Sequence, residues 1–493
     1  MTTYMSLVSS CIVGRSRPSM IFILSLTLSL LAGCMVGPNY QRPEVQVPAT
    51  WAGSTPPSVQ PVQLDQKALV YWWNVFGDPM LSSLVGRGVE SNLDLKLAGA
   101  RIRQARAARK GAQSAIGPTA DATASYQRSQ SPGVRTEGLA TGSGSEGPTS
   151  DQYQVGFDAA WELDIFGGVR RGIEAADSDL KAAVEARRSV LVTLSAEVAR
   201  NYIELRGFQQ RIAIARDNLM AQKHTAELTR QRFEGGFASG LDVANAQAQV
   251  ASTASEIPLL EASARQSIYA ISVLLGENPA TWVQELSPVS EIPGAPPAVP
   301  LGLPSDLLLR RPDIRVAEAQ IHAATARIGV ATADLFPRFT ISGTIGYQAS
   351  DPSSWFRFWG LGPSVTWRVF DSGRIRSNIE QQEALQEQSF LTYQQTVLGA
   401  LQEVENALIA STKEEERRKA LLETVAFNRK AVQLATILYT EGQTDFLNVL
   451  QAQRSLYASE DALVQSTRTI STNLVALYKA LGGGWEEGPP DSL

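Results

Sequence analysis

The stretch GFDAAWELDIFGGVRRGIEAA at residues 156–176 recurs as GPSVTWRVFDSGRIRSNIEQQ at residues 362–382. At a constant shift of 206 positions, six residues are identical: Gly156/Gly362, Trp161/Trp367, Gly167/Gly373, Arg170/Arg376, Ile173/Ile379 and Glu174/Glu380. The shift continues without a gap to Leu275-Gly276 and Leu481-Gly482. The chain is therefore a duplication, and two copies indicate internal pseudo-symmetry rather than a solenoid.

Upstream of this stretch the shift between the copies is 219, because Asp94, Ile102 and Pro118 match Asp313, Ile321 and Pro337. The first copy therefore has 13 extra residues between Pro118 and Gly156. A Ser/Gly-rich stretch at 129–150 lies there, and loops tolerate added length. We expect one insertion in one loop.

Each copy predicts the same order of helix, strand, loop, strand, very long helix, turn and helix. Alternation of apolar and polar residues predicts two β-hairpins, at about 119–163 and about 339–369. Pro363 predicts a strand start or an edge strand. The four aromatics of WFRFWG at 355–360 are expected in the second loop, as an interfacial girdle or as loop packing.

The helices are unusually long. Arg170–Phe233 contains 64 residues without proline, or about 96 Å as one helix, and Arg374–Glu441 is its counterpart. A thin stripe with 3- and 4-residue spacing indicates coiled-coil-like packing, and its members are Leu191, Leu194, Val198, Tyr202 and Leu205.

The N-terminus predicts a lipid anchor. The apolar run Ile21–Leu31 is too short to span a bilayer and is typical of a signal peptide, residues 1–33. Leu31, Ala32, Gly33 and Cys34 match the bacterial lipobox, in which Cys34 is lipidated and becomes the first mature residue. A plain secretory signal with an incidental cysteine is the alternative. In lipoproteins, Asp after the cysteine favours the inner membrane, so Met35 indicates the outer membrane.

Composition excludes several classes of protein. Without Arg15 and Arg17 of the signal, 42 basic and 49 acidic residues remain, a net charge of −7 that argues against general nucleic-acid binding. Cys34 is then the only cysteine, so no disulfide framework, zinc cluster or cysteine nucleophile is expected. His224 and His322 are expected at the surface. GSGSEG at 142–147 matches G-x-G-x-x-G without the required strand and helix. We expect no cofactor, no metal site, no catalytic residue and no enzyme.

Four strands cannot close a membrane barrel, and an open sheet in lipid would leave backbone groups unpaired. Either the strands form a soluble sheet, or several chains close a barrel together. The outer-membrane signal favours the second alternative. The expected fold class is mainly α with membrane β.

The sequence resembles the TolC-like outer membrane factors, in the NodT-type lipoprotein branch of resistance-nodulation-division (RND) efflux systems. Four stretches carry the resemblance: CMVGPNYQRP from Cys34, WWNVFGDPMLSSLV at 72–85, LPSDLLLRRPDI at 303–314 and ARIGVATADLFPRFTISG at 326–343. The resemblance implies a homotrimer in which each protomer gives four strands to a shared β-barrel and its helices to a long periplasmic α-helical barrel.

The implied function is a passive exit duct in the cell outer membrane, exporting small molecules and drugs. Its implied partners are a periplasmic membrane-fusion adaptor and an inner-membrane RND pump. A channel of another export system, such as type I secretion, and a non-pore structural coiled-coil lipoprotein are the alternatives. The expected domains are a lipid-anchored extended segment (34–70), a first repeat (71–276), a linker (277–302), a second repeat (303–482) and a flexible tail (483–493).

The turns Phe233–Val243 and Tyr439–Val449 are expected at the periplasmic end. Gly236 and Gly442 fit helix C-caps, whereas Ser239 or Asp242 and Thr444 or Asp445 can cap the next helix. The exposed turns are expected to dock the adaptor through Gly235, Gly236, Ser239, Leu241, Gly442, Thr444 and Leu447.

The second turn is also expected to close the pore. In the resembling family, acidic residues often ring the entrance just after this turn. Here Asn448 and Gln451 occupy the matching positions, and Asp445 is the nearest acid. Amides bring no net charge, so we expect a gate held by interprotomer hydrogen bonds and helix packing.

Overall fold

The computed structural model describes residues 35–52, 69–130, 149–294 and 304–486. The signal peptide with the lipobox Leu31, Ala32, Gly33 and Cys34 lies outside the described residues, as do the GSGSEG stretch and parts of the expected linker and tail.

The chain consists mainly of helices, with one small sheet. The first half contains a 3-10 helix (Trp72–Phe76), α1 (Pro79–Ser91), α2 (Leu93–Ser114), β1 (Thr119–Gln130), β2 (Thr149–Leu163), α3 (Gly168–Glu234) and α4 (Gly240–Leu274). Two short helices follow, α5 (Val283–Leu286) and α6 (Asp306–Arg310). The second half contains α7 (Pro312–Ala333), β3 (Arg338–Ala349), β4 (Phe356–Thr366), α8 (Arg374–Thr440) and α9 (Phe446–Ala480).

The duplication is visible in the lengths of these elements. Helices α2 and α7 have 22 residues each, α3 and α8 have 67, and α4 and α9 have 35. The predicted fold class, mainly helical with a small sheet, is confirmed. Within the described part of the chain, none of the helices combines the length and the hydropathy that crossing a membrane requires.

The chain forms two compact units, and each draws on both repeats. One unit contains the described part of Met1–Tyr40 together with Ala108–Asp177 and His322–Gln386, and it holds the sheet. The other contains Gln41–Ala107, Ser178–Ile321 and Glu387–Leu493, and it holds both helix turns.

The sheet is antiparallel, in the order β1-β2-β3-β4. Strand β4 begins at Phe356, so the expectation that WFRFWG forms a loop holds for Trp355 and is wrong for residues 356–360: Phe356 pairs with Gln348, and Trp359 pairs with Ile345. Alternating aromatic residues favour a strand. Pro363 lies within β4, an edge strand of the chain, so the edge interpretation is confirmed and the strand start is wrong.

The helical unit buries part of the predicted stripe, namely Leu194, Val198, Tyr202 and Leu205. Between 192 and 206 the buried surface is broader than a thin stripe, because other helices cover it: Gly88 of α1 approaches Leu194, Val198 and Leu275.

The start of the expected flexible tail is packed against this unit. The Gly484 amide donates to the Leu69 carbonyl at 2.9 Å. Trp485 is only 8% exposed, and the guanidinium carbons of Arg188 and Arg315 lie 4.6 and 5.3 Å from its ring centre. The prediction of flexibility is therefore wrong for residues 483–486, because burial and cation–π contacts stabilise the indole. Residues 487–493 lie outside the described residues.

Candidate functional site

Both long hairpins end in the same type of turn. The Phe237 amide donates to the Arg232 carbonyl at 2.8 Å, and the Gln443 amide donates to the Leu438 carbonyl at 2.8 Å. Gly236 and Gly442 have φ values of +78° and +75°. These are Schellman-type ends, in which the left-handed residue is usually glycine. The predicted C-caps are confirmed.

The two turns differ at the start of the next helix. Ser239 caps α4, which confirms one of the two predicted alternatives, and Asp242 at N3 bonds back to it, so the two residues form a reciprocal capping box. Asp445 occupies the N-cap position of α9, but its side chain makes no capping hydrogen bond. The Thr444 hydroxyl instead accepts a bond from the Asn448 side-chain amide at 2.7 Å. The predicted cap by Asp445 is therefore wrong, and the Thr444 hydroxyl binds a side-chain amide of α9 where the prediction had a backbone amide.

The second turn contributes an apolar core that joins the hairpins. Phe446, Val449 and Leu450 are buried with Tyr439 and Ala246. Arg232 of the first hairpin strengthens this junction: its guanidinium lies 4.7 Å from the Tyr439 ring centre and donates to the Thr440 carbonyl at 2.9 Å. The two turns are therefore held together as one tip.

The predicted docking residues lie on the surface of this tip, with only Thr444 half-buried. Leu241 is 69% exposed and Leu447 is 63% exposed, although both are large apolar residues. Gly235, Gly236 and Ser239 share the first turn with Leu241, and Gly442 and Thr444 share the second with Leu447. The tip thus presents two exposed leucines from pseudo-equivalent turns.

The predicted gate residues lie along one exposed side of α9. Asp445, Asn448 and Gln451 are all exposed and follow one another at three-residue spacing. No group of three or more His, Cys, Asp or Glu side chains in the described ranges could hold a metal ion.

A second polar stripe on α9 was missed by the sequence analysis. Arg454 donates to the Gln249 side-chain oxygen at 2.6 Å, and Tyr457 donates to Glu256 Oε2 at 2.6 Å. One turn further, Arg211 of α3 donates to Asp461 Oδ1 at 2.6 Å. Arg454, Tyr457 and Asp461 follow one another at three- and four-residue spacing, and this spacing could have indicated a shared helix face. The stripe ties α9 of the second hairpin to both helices of the first.

Burial and the Glu256 carboxylate both raise the pKa of Tyr457 well above its ordinary value. The phenol therefore stays protonated at physiological pH and can donate to the carboxylate.

The sheet has two chemically different faces. Cross-strand pairs such as Phe157↔Ile345 and Ile345↔Trp359 place apolar residues on one face. The large exposed members of that face are Val155, Phe157, Trp161, Ile345, Tyr347, Trp359, Leu361 and Val365. The opposite face is mainly polar, although Phe356 and Phe358 of β4 also lie on it; its polar members are Asp121, Thr123, Asp158, Glu162, Thr340, Ser342 and Thr344.

Aromatic residues mark two levels of the apolar face. At one level, the indoles of Trp161 and Trp367 donate to the carbonyls of Ile116 and Leu335 at 2.7 and 3.0 Å. These are equivalent pairs in the two repeats. At the other level, the rings of Tyr126 and Tyr153 lie 4.9 Å apart, and Trp355 lies 6.5 Å from Tyr153.

The two histidines have different environments. His224 is exposed, as expected. His322 is only 24% exposed, and its Nε2 lies 2.9 Å from Glu174 Oε1, so the expected surface position is wrong. Burial raises the pKa of Glu174, but hydrogen bonds from His322 and Arg171 outweigh this effect and leave the pKa below its ordinary value.

The chain is similar to known outer-membrane proteins over most of its length. A model of the family described as outer membrane efflux protein matches residues 84–277 and 303–483. The nodulation protein T of Rhizobium leguminosarum bv. trifolii is 33% identical over 460 residues, covering 92% of this chain and 96% of the relative. The pyoverdine export outer membrane protein OpmQ of Pseudomonas aeruginosa is 34% identical over 428 residues, covering 86% of this chain and 89% of the relative. The outer-membrane channel OprN has a TM-score of 0.83 at 37% identity, covering 92% of this chain and 100% of that chain. The chain therefore belongs to the family of outer membrane efflux proteins.

Proposed function

We propose that the protein is the outer-membrane exit duct of a tripartite efflux pump, working as a lipid-anchored homotrimer. The duct passes small molecules passively, and its partners are a periplasmic adaptor and an inner-membrane RND transporter. The two-faced sheet with two open edges is the observation that carries this proposal. The two repeats are proposed as the domains, and Cys34 as the lipidated residue.

The open edges argue for a shared barrel. Strands β1 and β4 have no neighbour on their outer sides within the described part of the chain. Every unpaired backbone group in lipid costs several kcal/mol, so an isolated four-stranded sheet cannot remain in a bilayer. Pairing β4 of one copy with β1 of the next satisfies both edges. Three copies then supply twelve strands, an even number within the range of membrane barrels.

The face pattern gives this barrel its orientation. The apolar face would contact lipid, and the polar face would line the lumen. Eight residues separate Tyr153 from Trp161, about 27 Å along the strand. A tilt of about 40° reduces this to about 21 Å, comparable with the apolar band of about 25 Å between aromatic girdles.

The tip is proposed to dock the adaptor. Leu241 and Leu447 remain exposed while the tip buries other apolar residues beside them. Exposed apolar side chains on a rigid turn are suited to packing against a partner. Asp445, Asn448 and Gln451 are proposed to face their counterparts in the trimer and to close the entrance. This gate is held by amide hydrogen bonds, with a single acid per protomer.

Conductance in planar bilayers tests the duct. We expect discrete channels from the wild-type trimer. Gly346→Ala places a Cβ in steric conflict with the Val155 carbonyl oxygen of the neighbouring strand, so it should abolish both channels and efflux in an exporter-deficient strain. Gly343→Ala is the matched control in the same strand, because its nearest neighbour would be Leu361 Cδ1 at an ordinary 3.4 Å.

A folded trimer without conductance would favour the structural lipoprotein instead. Conductance with unchanged drug susceptibility, together with loss of a secreted protein on deletion, would favour type I secretion.

Docking has a separate test. Leu241→Ser combined with Leu447→Ser should abolish efflux and adaptor cross-linking without lowering conductance. Leu259→Ser on α4 is the control, because Leu259 is 71% exposed but lies outside the tip. Wild-type efflux in the tip variant would remove the docking assignment and leave the channel assignment standing.

A further inference from the structure

The residues that follow Cys34 are held by one buried arginine. We call Met35–Tyr40 the strap. The strap forms neither helix nor strand, and its Val36 amide donates to the Phe166 carbonyl at 3.1 Å. Arg171 of α3, only 1% exposed, donates to the Val36 carbonyl at 3.2 Å, the Gly37 carbonyl at 3.3 Å and Asn39 Oδ1 at 2.7 Å.

The third nitrogen of the Arg171 guanidinium binds a carboxylate. Nη1 of Arg171 donates to Glu174 Oε2 at 2.7 Å, so the guanidinium is neutralised by a carboxylate on its own helix. A buried charge is costly unless it is paired and hydrogen-bonded, and this one is both. If the strap were released, Arg171 would lose three acceptors at once.

Three glycines allow the strap to approach this closely. A Cβ on Gly37 would lie 2.5 Å from the Gly329 Cα, and a Cβ on Gly167 would lie 2.7 Å from Met35 Cγ. A Cβ on Gly329 would lie 2.8 Å from the Arg171 side chain. Gly37 and Gly167 also have φ values of +85° and +79°, where other residues are strained. The strap backbone at Gly37 therefore packs directly on the Gly329 backbone, and the Met35 and Arg171 side chains fill the space that a Cβ would need at Gly167 and Gly329.

His322 of α7 closes the far end. Its ring stacks on Tyr40 with centres 4.3 Å apart and an interplanar angle of 10°, while its Nε2 lies beside Glu174. We call Arg171, Glu174, Gly167, His322 and Gly329 the strap seat. It is a built site, and its occupant is this chain's own N-terminal segment.

The duplication shows that the seat is not generic. At the pseudo-equivalent β4–α8 junction, Gly373 retains the positive φ of Gly167, at +88°. However, Ser377 replaces Arg171, Lys110 replaces Gly329 and Arg103 replaces His322. Serine cannot supply the guanidinium, and lysine would fill the space that Gly329 leaves open. Of the two similar junctions in each chain, only the β2–α3 junction therefore has the residues of a strap seat.

We propose that the strap seat binds the lipid-bearing N-terminus and confines its acyl chains to the β2–α3 junction, instead of leaving them on a free tether. Met35 is one peptide bond from the proposed lipid site and packs on Gly167, four residues after the end of β2. The anchor therefore emerges beside the Trp161 level of the sheet. Three seated anchors would set the height of the barrel in the membrane. This role rests on the lipidation of Cys34 proposed above.

Hydrogen–deuterium exchange of the full-length trimer tests the seat. Arg171→Met keeps the apolar stem but removes every bond to the strap, and Gly329→Ala displaces the guanidinium. In both variants the Val36 amide should exchange more than about tenfold faster than in wild type, because bonds to a charged donor are lost. Peptides of β1–β4 and the trimer content should not change.

Arg376→Met is the control, because this exposed arginine lies at the other junction, one position before the counterpart of Arg171, and the variant should exchange at the wild-type rate. If Arg171→Met prevents assembly, Asn39→Ala is the second variant, because it removes only the strap side chain that Arg171 binds. It should accelerate exchange of the Val36 amide by less than Arg171→Met would. Wild-type protection in Arg171→Met, or equal loss of protection in Arg376→Met, overturns the proposal.

Two further measurements keep this test separate from the proposed function. Intact mass reports the acyl chains on Cys34, and bilayer conductance reports the channel. A lipidated, conducting trimer with an unprotected wild-type strap would overturn the seat while leaving the duct in place. A protected strap without acyl chains would remove the anchoring role and retain the binding site.

Discussion

Removing one hydroxyl group from α9 tests whether the polar stripe restrains the tip. Tyr457→Phe deletes the 2.6 Å bond to Glu256 of α4 and keeps the aromatic ring. A hydrogen bond to a charged group contributes about 1.5–3 kcal/mol, and the half-exposed setting lowers this to about 1.4 kcal/mol. If the bond exists only while the hairpins are packed together, its loss shifts the closed–open equilibrium about tenfold for each protomer, and therefore at least about tenfold for the trimer.

Resting conductance is the assay for this variant. We expect the time-averaged conductance of the Tyr457→Phe trimer to rise at least about tenfold, with unchanged single-channel amplitude, and susceptibility to a large antibiotic to increase. Tyr269→Phe is the matched control on α4, because Tyr269 is 40% exposed. Wild-type conductance in an intact Tyr457→Phe trimer, or an equal rise in Tyr269→Phe, would refute the restraint.

The remaining predictions concern the gate, the tail, pH and the anchor. Asn448→Ala with Gln451→Ala should raise resting conductance; unchanged conductance in an intact trimer contradicts the gate. Trp485→Ala should lower stability by about 3 kcal/mol in a thermal melt, whereas deletion of 487–493 should not. Burial raises the pKa of Tyr202 to about 12; Asp78 also raises this pKa, and Arg206 lowers it. The protonated Tyr202 phenol therefore contributes to the free energy of unfolding below pH 10, and this contribution is lost as the pH rises towards 12. Denaturant unfolding at pH 9 and 11.5 checks this, and the Tyr202→Phe variant should lose less stability between them. Mass spectrometry should find three acyl chains on Cys34; an unmodified N-terminus at another residue contradicts the anchor.

The helices were predictable because their signals are local and repeated. The proline-free stretch from Arg170 to Phe233 became α3, Gly168–Glu234, and the second long helix is Arg374–Thr440. Gly236 and Gly442 marked their ends because only a left-handed residue fits there. The start of strand β4 was missed, because the aromatic residues of FRFW fit both the predicted loop and a strand. Its pairing with β3 decides between them.

The site was predictable only in part. The exposed tip residues lie on turns, so their position follows from the helix ends. The stripe of Arg454, Tyr457 and Asp461 was not found, because its partners lie 201–250 residues away along the chain. The same reason applies to Trp485. The glycine-rich sequence around it predicted a flexible tail, whereas the structure packs its ring against Arg188 and Arg315, which are distant along the chain.

The sequence by itself determined the duplication, the order of the elements and most of their types, and it predicts the lipidation of Cys34. These depend on periodicity, spacing and residue type within short windows. Only the tertiary structure decided which repeats combine into a compact unit, which polar residues are partners and where the strap lies. The two units mix residues from both copies, and Arg171 meets Gly37 across 134 positions. Such contacts depend on how elements pack in three dimensions, and a local pattern of residue types carries no information about a partner that is distant along the chain.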